Sequence, residues 1–370
     1  MADSHTVRAL IALPRGDDNP AGMVAACETD ALVEVARREG VLPLVAERLV
    51  HSGMAAHELA AAVAPYARAE AARDVVRSRS FRQVLDALAA ASVPAIVFKG
   101  EHLAHACYER PDLRPRTDSD VLVRHGDRQK AAHALETCGY RRVAQLEADL
   151  ISYQATFVRA GEENGGMAID LHWRLSNPQE FGDLLSSEDL FAAAVPLPAL
   201  GATARVPSTV HALLIALVHR VAHHAGHTRL IWDWDLMCLA KRMNADEWND
   251  LIRMAHRHRL GSVFAAELAR AMLVSPGAVP SWVCDRLRET ARLTRGPDRR
   301  EHQTRIGELL ASLRALPGWR ERASLARQHL LPPRRYMRDV YAPSSHAPLP
   351  ILYVRRAIAG AWKYCRSASG

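Results

Sequence analysis

The fold is decided by Val97-Phe98-Lys99-Gly100 and, after a gap of seventeen residues, Asp118-Ser119-Asp120-Val121-Leu122-Val123. The first stretch ends a short, apolar and β-branched run that begins at Pro94, and such a run is typical of a buried strand followed by a turn. The second stretch is equally apolar after its two acids and predicts another strand. Residues 167–173 have the same character. We therefore expect a small β-sheet in this part of the chain.

The acids of these strands form the most informative pattern. Residues i and i+2 of a strand point to the same side, so Asp118 and Asp120 project together. Two carboxylates on one face repel each other, and a divalent cation relieves that repulsion. Asp170, in the strand over 167–173, can supply a third carboxylate to an arrangement that holds two metal ions. The alternative is an ordinary strand that carries acids at its edge.

Helical patterns surround the predicted sheet on both sides. Towards the N-terminus, a helix begins at Thr29 or Asp30 and ends at Gly40, and Ala-rich helices follow over 55–91 with a break near Pro65. The region of the sheet contains two helices, predicted over 101–108 and 127–138, and two further strands, predicted over 141–146 and 153–159. After the sheet, four more helices are predicted over 209–224, 230–243, 246–258 and 263–273.

These elements predict an α+β fold in which helical regions flank a small mixed sheet. The expected division is an N-terminal helical region, an α/β core, a helical domain and a basic Pro/Arg-rich helical segment, with bounds at 1–90, 91–187, 188–275 and 276–370. The 370-residue chain has a net charge of +7, but the excess is uneven. Residues 285–370 carry 18 basic and 7 acidic residues, which favours an acidic partner or a solvated helical face.

Several classes of protein are disfavoured by the sequence. No two cysteines have C-x-x-C spacing, and no stretch reaches the roughly 20 apolar residues needed to span a bilayer. The first residues do not read as a signal peptide. We therefore expect a soluble, cytoplasmic protein with reduced thiols.

Taken together, the motifs resemble the bacterial uncharacterised nucleotidyltransferases of the NTP-transferase 5 type, in the DNA polymerase β-like superfamily. The resemblance covers roughly residues 30–275. It is carried by Lys99-Gly100, Tyr108, Arg116, Asp118-Ser119-Asp120-Val121-Leu122-Val123, Gly139-Tyr140, Asp170-Leu171-His172-Trp173, His219 and Asp235-Leu236-Met237-Cys238-Leu239. Two departures are Lys99-Gly100, where the superfamily usually has Gly-Ser, and Ser119, where the family prefers Ile.

The resemblance implies an enzyme that moves a nucleoside monophosphate from an NTP to a hydroxyl or phosphate acceptor and releases pyrophosphate. Two Mg²⁺ ions, with Mn²⁺ as the alternative, would be held by Asp118, Asp120 and Asp170, the last also serving as general base. The implied substrate-binding residues are Lys99, Gly100, Arg116, His172, His219 and Asp235. The acceptor stays open between a small molecule, a peptide or protein, and RNA.

Other interpretations stay open from the sequence. The chain could be a catalytically inactive nucleotide-binding module, or a toxin-like nucleotidyltransferase that modifies tRNA. The spacing of His219, His223 and His227 permits a zinc site but lacks a further ligand. Arg220 and His227 have the Arg-x6-His spacing of HEPN ribonucleases. Arg116 could instead be a surface residue paired with Asp112.

Overall fold

Five strands form the sheet that the sequence predicts. In a computed structural model of the protein they are β1 (Ala95–Phe98), β2 (Asp118–Val123), β3 (Tyr140–Arg142), β4 (Gln154–Arg159) and β5 (Ala168–His172). Their order is β1-β2-β5-β4-β3. β2 and β5 run parallel and every other neighbouring pair in this sheet is antiparallel. The structure describes residues 4–15, 22, 24, 27–53, 57–143, 150–159, 167–182, 184–223, 228–293, 305–342 and 347–367.

Helices account for most of the rest of the described chain. Before the sheet come α1 (Ser4–Arg15), α2 (Thr29–Glu39), α3 (Leu42–His51) and α4 (Glu58–Ala90). Within the sheet region are α5 (Lys99–Cys107) and α6 (Arg128–Thr137). After it come α7 (Ser187–Ala193), a short β6–β7 pair (Val195–Pro196 and Arg205–Val206), α8 (Thr209–His223), α9 (Leu230–Ala240), α10 (Ala245–Arg257), α11 (Gly261–Ala271), α12 (Ser281–Leu293), α13 (Arg305–Ala315), α14 (Trp319–Leu330), α15 (Arg334–Tyr341) and α16 (Leu349–Ser367). The α+β class is confirmed, with helices flanking a small mixed sheet.

Two apolar cores are connected by α4. Phe81 and Leu85 of α4 pack with the inner side chains of the sheet, such as Val121 and Phe157. The other core contains the start of α4 and joins α1–α3 to α8–α12. The opposite face of the sheet is covered by α7 and α8, through Leu190 and Ile215.

The predicted break near Pro65 is wrong, because α4 continues through it as a single helix of 33 residues. A proline inside a helix removes one hydrogen bond and costs about 3 kcal/mol. Leu59 and Val63 before Pro65 are buried in one core, and Val84 and Leu88 after it are buried in the other. Packing at both ends therefore keeps the helix continuous.

Gly40 both ends α2 and lies against the start of α9. It follows α2 in the left-handed region, with φ of 74°, and its N–H caps the helix carbonyls. A Cβ at this position would lie 3.1 Å from Ile231 and from the guanidinium of Arg229. Nearby, the N–H of Leu230 donates to the carboxylate of Glu39 at 3.1 Å. The end of α2 is thus joined to the start of α9.

The first helix after the expected boundary at residue 275, α12, packs against the helices before it. Val283 and Leu287 of α12 are buried in the same core as α11, so the helical core extends past residue 275. The division of the chain into four regions stays a prediction. Residues 144–146 of the strand expected over 141–146 lie outside the described residues.

Candidate active site

Two of the three predicted acids face each other across the parallel strand pair. Asp120 of β2 is in register with Asp170 of β5, and Leu122 is in register with His172. Asp120, Asp170 and His172 each offer a ligand atom, and these atoms lie within 4.8 Å of one another. The arrangement arises because parallel neighbours in register present equivalent residues on the same face.

Asp170 is held in place by its antiparallel neighbour β4. The hydroxyl of Thr156 donates to Oδ1 at 2.6 Å, and the amide of Gln154 donates to Oδ2 at 3.2 Å. Each carboxylate oxygen accepts further hydrogen bonds or a metal, because it has two lone pairs. These two hydrogen bonds fix the orientation of the Asp170 carboxylate and leave lone pairs on both oxygens for a proton or a metal ion.

Asp120 is buried and surrounded by cationic or polar groups. Its Oδ1 lies 2.6 Å from the ammonium of Lys99 and 2.8 Å from Nε2 of His172. Burial alone would raise the pKa of Asp120, but Lys99 and His172 outweigh it and hold the pKa well below its usual value. Asp120 is accordingly a carboxylate at every physiological pH.

Lys99 reaches Asp120 from an unusual backbone conformation. It directly follows β1 and has a φ of 52°, which is uncommon for a residue with a Cβ. Strained residues of this kind cluster at functional sites. The strain turns the chain from β1 into α5 and brings the lysine back over the acids.

Asp118 occupies a different environment from Asp120, although both face the same side. It begins β2 and lines a cleft beside the sheet. The protein that surrounds its carboxylate, together with the charges of Asp120 and Asp170, raises the pKa of Asp118 to about 6. Burial is the largest cause, and the part that comes from Asp120 and Asp170 is a repulsion that a shared cation would relieve.

The cleft has a volume of about 1110 Å³ and lies between the acids and the helices that flank them. One wall comes from α4, and the opposite wall comes from α8 and α9. Its floor is formed by the start of α5 and by Asp118 and Asp120. Among the predicted site residues, the cleft is also lined by Lys99, Gly100, Arg116, His219 and Asp235.

Gly100 allows a guanidinium to lie directly on the start of α5. A Cβ at Gly100 would be 2.7 Å from Nη1 of Arg114. Arg114 is nearly buried, and its Nε and Nη2 donate to the carboxylate of Asp235 at 2.9 and 2.7 Å. Tyr108 donates to the same carboxylate at 2.7 Å. Asp235, which the sequence predicts on the substrate side, lines the cleft and pairs with Arg114, and its contact with a substrate stays a prediction.

A family model described as "Uncharacterised nucleotidyltransferase" matches residues 26–273, which is more than half of the chain. The chain belongs to this family. No curated protein matches it. Among solved structures, JHP933 from Helicobacter pylori has a TM-score of 0.30 and 12% sequence identity, with 68% of this chain and 95% of that chain covered. A similarity this low does not bear on function.

Arg116 pairs with acids inside the protein. Its Nε and Nη2 donate to the carboxylate of Glu101 at 2.8 and 3.0 Å, and Nη2 lies 2.7 Å from Asp74 of α4. The side chain is only 1% exposed. These donors are used inside the protein, and the contact with a triphosphate that the sequence predicts for Arg116 stays a prediction. Asp112, the alternative partner, pairs with Arg110.

Glu101 is the centre of a buried polar network that the sequence motifs do not reveal. Besides Arg116, it accepts a hydrogen bond from the hydroxyl of Ser119 at 2.8 Å, and Nε2 of His105 lies 3.2 Å away. Burial works against the charge, but His105, Arg116 and Ser119 lower the pKa of Glu101 to about 2. The serine that departs from the family pattern therefore binds this network from the back of β2.

The histidine-rich helix gives little support to the other interpretations. His219 lines the cleft. The side chain of His223 and all of His227 lie outside the described residues, so the zinc and ribonuclease interpretations stay predictions. Arg220, the other half of the ribonuclease pattern, is buried and pairs with Asp233 at 2.8 Å and Glu267 at 3.1 Å. That arrangement is a structural ion pair.

Proposed function

We propose that the protein is a Mg²⁺-dependent nucleotidyltransferase that moves NMP from an NTP to a hydroxyl or phosphate of an acceptor. The observation that carries the proposal is the approach of Asp120 and Asp170 across two parallel strands, with Asp118 beside them at the edge of a large cleft. Membership of the nucleotidyltransferase family agrees with this chemistry.

The residues present fit a hard cation. Asp118, Asp120 and Asp170 offer carboxylate oxygens, which Mg²⁺ prefers, and the pKa of Asp118 is raised by burial and, to a smaller extent, by the charges of the other two acids. These three residues would hold two Mg²⁺ ions, with Mn²⁺ as the alternative. Bound there, the ions would neutralise phosphate charge and activate the attacking oxygen.

The chain's own residues supply the rest of the chemistry. Lys99 begins α5, and the guanidinium of Arg114 lies against Gly100 beside it, so this proposal gives these two cations of the cleft the contacts with a triphosphate. Backbone N–H groups at a helix start favour anions there as well. In this proposal Arg114 takes the role expected of Arg116, and Gly100 makes room for it.

Asp170 is the proposed general base. Its carboxylate would take the proton from an acceptor hydroxyl while the acceptor oxygen attacks the α-phosphorus. The bond from that phosphorus to the bridging oxygen breaks, and pyrophosphate carries away the electron pair. Thr156 and Gln154 hold Asp170 in a fixed orientation for this transfer.

The proposal is tested by incubating the protein with each labelled NTP and a cell extract, with and without EDTA. We expect a labelled product that forms only with the divalent metal, and its size identifies the class of acceptor. If NTPs raise the Tm but no label is transferred, the binding-module alternative is favoured. Label on tRNA, together with growth arrest on expression, would favour the toxin-like alternative.

The role of Arg114 can be tested with Arg114→Lys. Lysine keeps a cation beside Asp235 but loses the planar fork, so we expect the KM for NTP to rise about tenfold with a smaller change in kcat. Steady-state kinetics at several NTP concentrations would measure this. Arg110→Lys is the matched control, since Arg110 forms exposed ion pairs with Glu47 and Asp112. An unchanged KM in the Arg114 variant would remove Arg114 from the triphosphate site.

A further inference from the structure

The final helix, α16, exposes an apolar stripe. Ile351, Val354 and Ile358 are 52%, 58% and 62% exposed. Their spacing of i, i+3 and i+7 places them on one face of the helix. Single exposed apolar residues are ordinary, but a continuous stripe indicates an interaction surface.

The opposite face of α16 is already occupied. Leu352 is fully buried and packs in a small cluster with Met337 of α15. Tyr353 donates to the carbonyl of Pro332 at 2.7 Å, and Arg356 donates to the carbonyl of His329 at 2.7 Å. These contacts fix the orientation of the helix, so the stripe faces outward while the other side is attached to the protein.

The charged residues around the stripe indicate which kind of partner this surface binds. Together, α15 and α16 contain seven basic residues and one acid, Asp339, and α16 itself contains no acid. Arg355 is exposed beside the stripe, and Arg334, Arg335 and Arg338 are exposed on α15. An apolar stripe flanked by arginines is the composition of a helix that lies in the interface of an anionic bilayer.

We propose that α15 and α16 dock the protein on an anionic lipid surface. Ile351, Val354 and Ile358 enter the boundary between headgroups and acyl chains, and the arginines contact the lipid phosphates. The helix lies on the bilayer and does not cross it. Among the described residues, no helix is long and apolar enough to span a membrane. The observations favour lipid over RNA because RNA would leave the aliphatic stripe without a partner.

The test is co-sedimentation of the full chain with vesicles of phosphatidylcholine alone or with about one third phosphatidylglycerol. We expect at least about tenfold stronger binding to the anionic vesicles, and weaker binding as salt increases. The triple variant Ile351→Ser/Val354→Ser/Ile358→Ser should lose at least about tenfold in binding, while its far-UV circular dichroism stays that of the wild type.

A matched triple variant, Val50→Ser/Val75→Ser/Leu273→Ser, removes equally exposed apolar residues elsewhere and should bind vesicles as the wild type does. The proposal is overturned by equal binding to both kinds of vesicle. It is also overturned if the variant Ile351→Ser/Val354→Ser/Ile358→Ser (the stripe variant) binds anionic vesicles as the wild type does. A dimer in light scattering that the stripe variant abolishes would assign the surface to a second copy. If the wild type and the stripe variant both bind single-stranded RNA tightly and neither binds vesicles, the basic residues are assigned to RNA. None of these readouts depends on nucleotidyl transfer.

Discussion

Asp120→Asn is expected to lower the rate of NMP transfer by at least about a thousandfold. The substitution removes the most buried charge of the acidic cluster and leaves Lys99 without its 2.6 Å partner. The neutral amide still fits the space, so the fold should persist. The expected result is measured as label transfer at saturating NTP and metal, together with the rise in Tm that NTP causes with and without Mg²⁺.

Asp170→Asn should have a similarly large effect, since Asp170 is both a proposed ligand and the proposed base. Asp86→Asn, an exposed acid on α4, is the control and should transfer label at the wild-type rate. If either active-site variant kept more than about a tenth of the activity, the acids would not be the metal ligands, and the assignment of this site would fail.

Glu101→Ala is expected to destabilise the fold strongly, by about 3 to 5 kcal/mol in the free energy of unfolding. The carboxylate is fully buried, and its removal leaves the guanidinium of Arg116 with only Asp74 as an acidic partner. The hydroxyl of Ser119 loses its acceptor as well. Urea unfolding followed by tryptophan fluorescence would measure the change.

The pH dependence of stability gives an independent measure of the same group. The pKa of Glu101 is lowered to about 2 in the folded protein. A lowered pKa means that the charge stabilises the fold above the unfolded pKa of roughly 4.3, and that this contribution is lost as the pH falls towards 2. The difference in stability between wild type and Glu101→Gln should therefore shrink over that range.

Glu34→Ala is the control, because Glu34 forms an exposed pair with Arg37 and its removal should change stability little. A Glu101 variant as stable as the wild type at neutral pH would contradict the interpretation of the network.

Local pattern and family resemblance together pointed to Asp120 and Asp170, which the structure brings close to each other. Alternation along a strand places Asp118 and Asp120 on one side, and the structure agrees, since Ser119 faces the opposite side and binds Glu101. Alternation says nothing about which strands are neighbours. The parallel pairing of β2 with β5, which brings Asp170 into register with Asp120, was not predicted and is seen only in the structure.

The different partners of Arg114 and Arg116 could not be deduced from spacing. Both arginines precede β2 in a segment that is not a strand, so the side each one faces does not follow from alternation. A short 3-10 turn over Pro111–Leu113 and the partners already present decide it. Glu101 attracts Arg116, and Asp235, from a distant helix, attracts Arg114.

The buried charges of α4 did leave a signal in the sequence. Glu70, Asp74 and Arg77 are spaced by four and three residues, which places them on one face of a helix that is otherwise rich in alanine. Such a stripe usually faces solvent. Here it faces the sheet, because Asp74 and Arg116 neutralise each other there. A single sequence does not distinguish these two outcomes.

The contact between the end of α2 and the start of α9 has a consequence for synthesis of the chain. Glu39 bonds to Leu230, 191 residues later, and the apolar core around α2 and α3 is shared with α8 to α12. While the ribosome is still translating the sheet, the first helices have left the exit tunnel without the side chains that cover them. Nascent chains in this state expose apolar surface and attract chaperones. Slow translation before α8 should therefore reduce the yield of native protein more than an equal delay after α12.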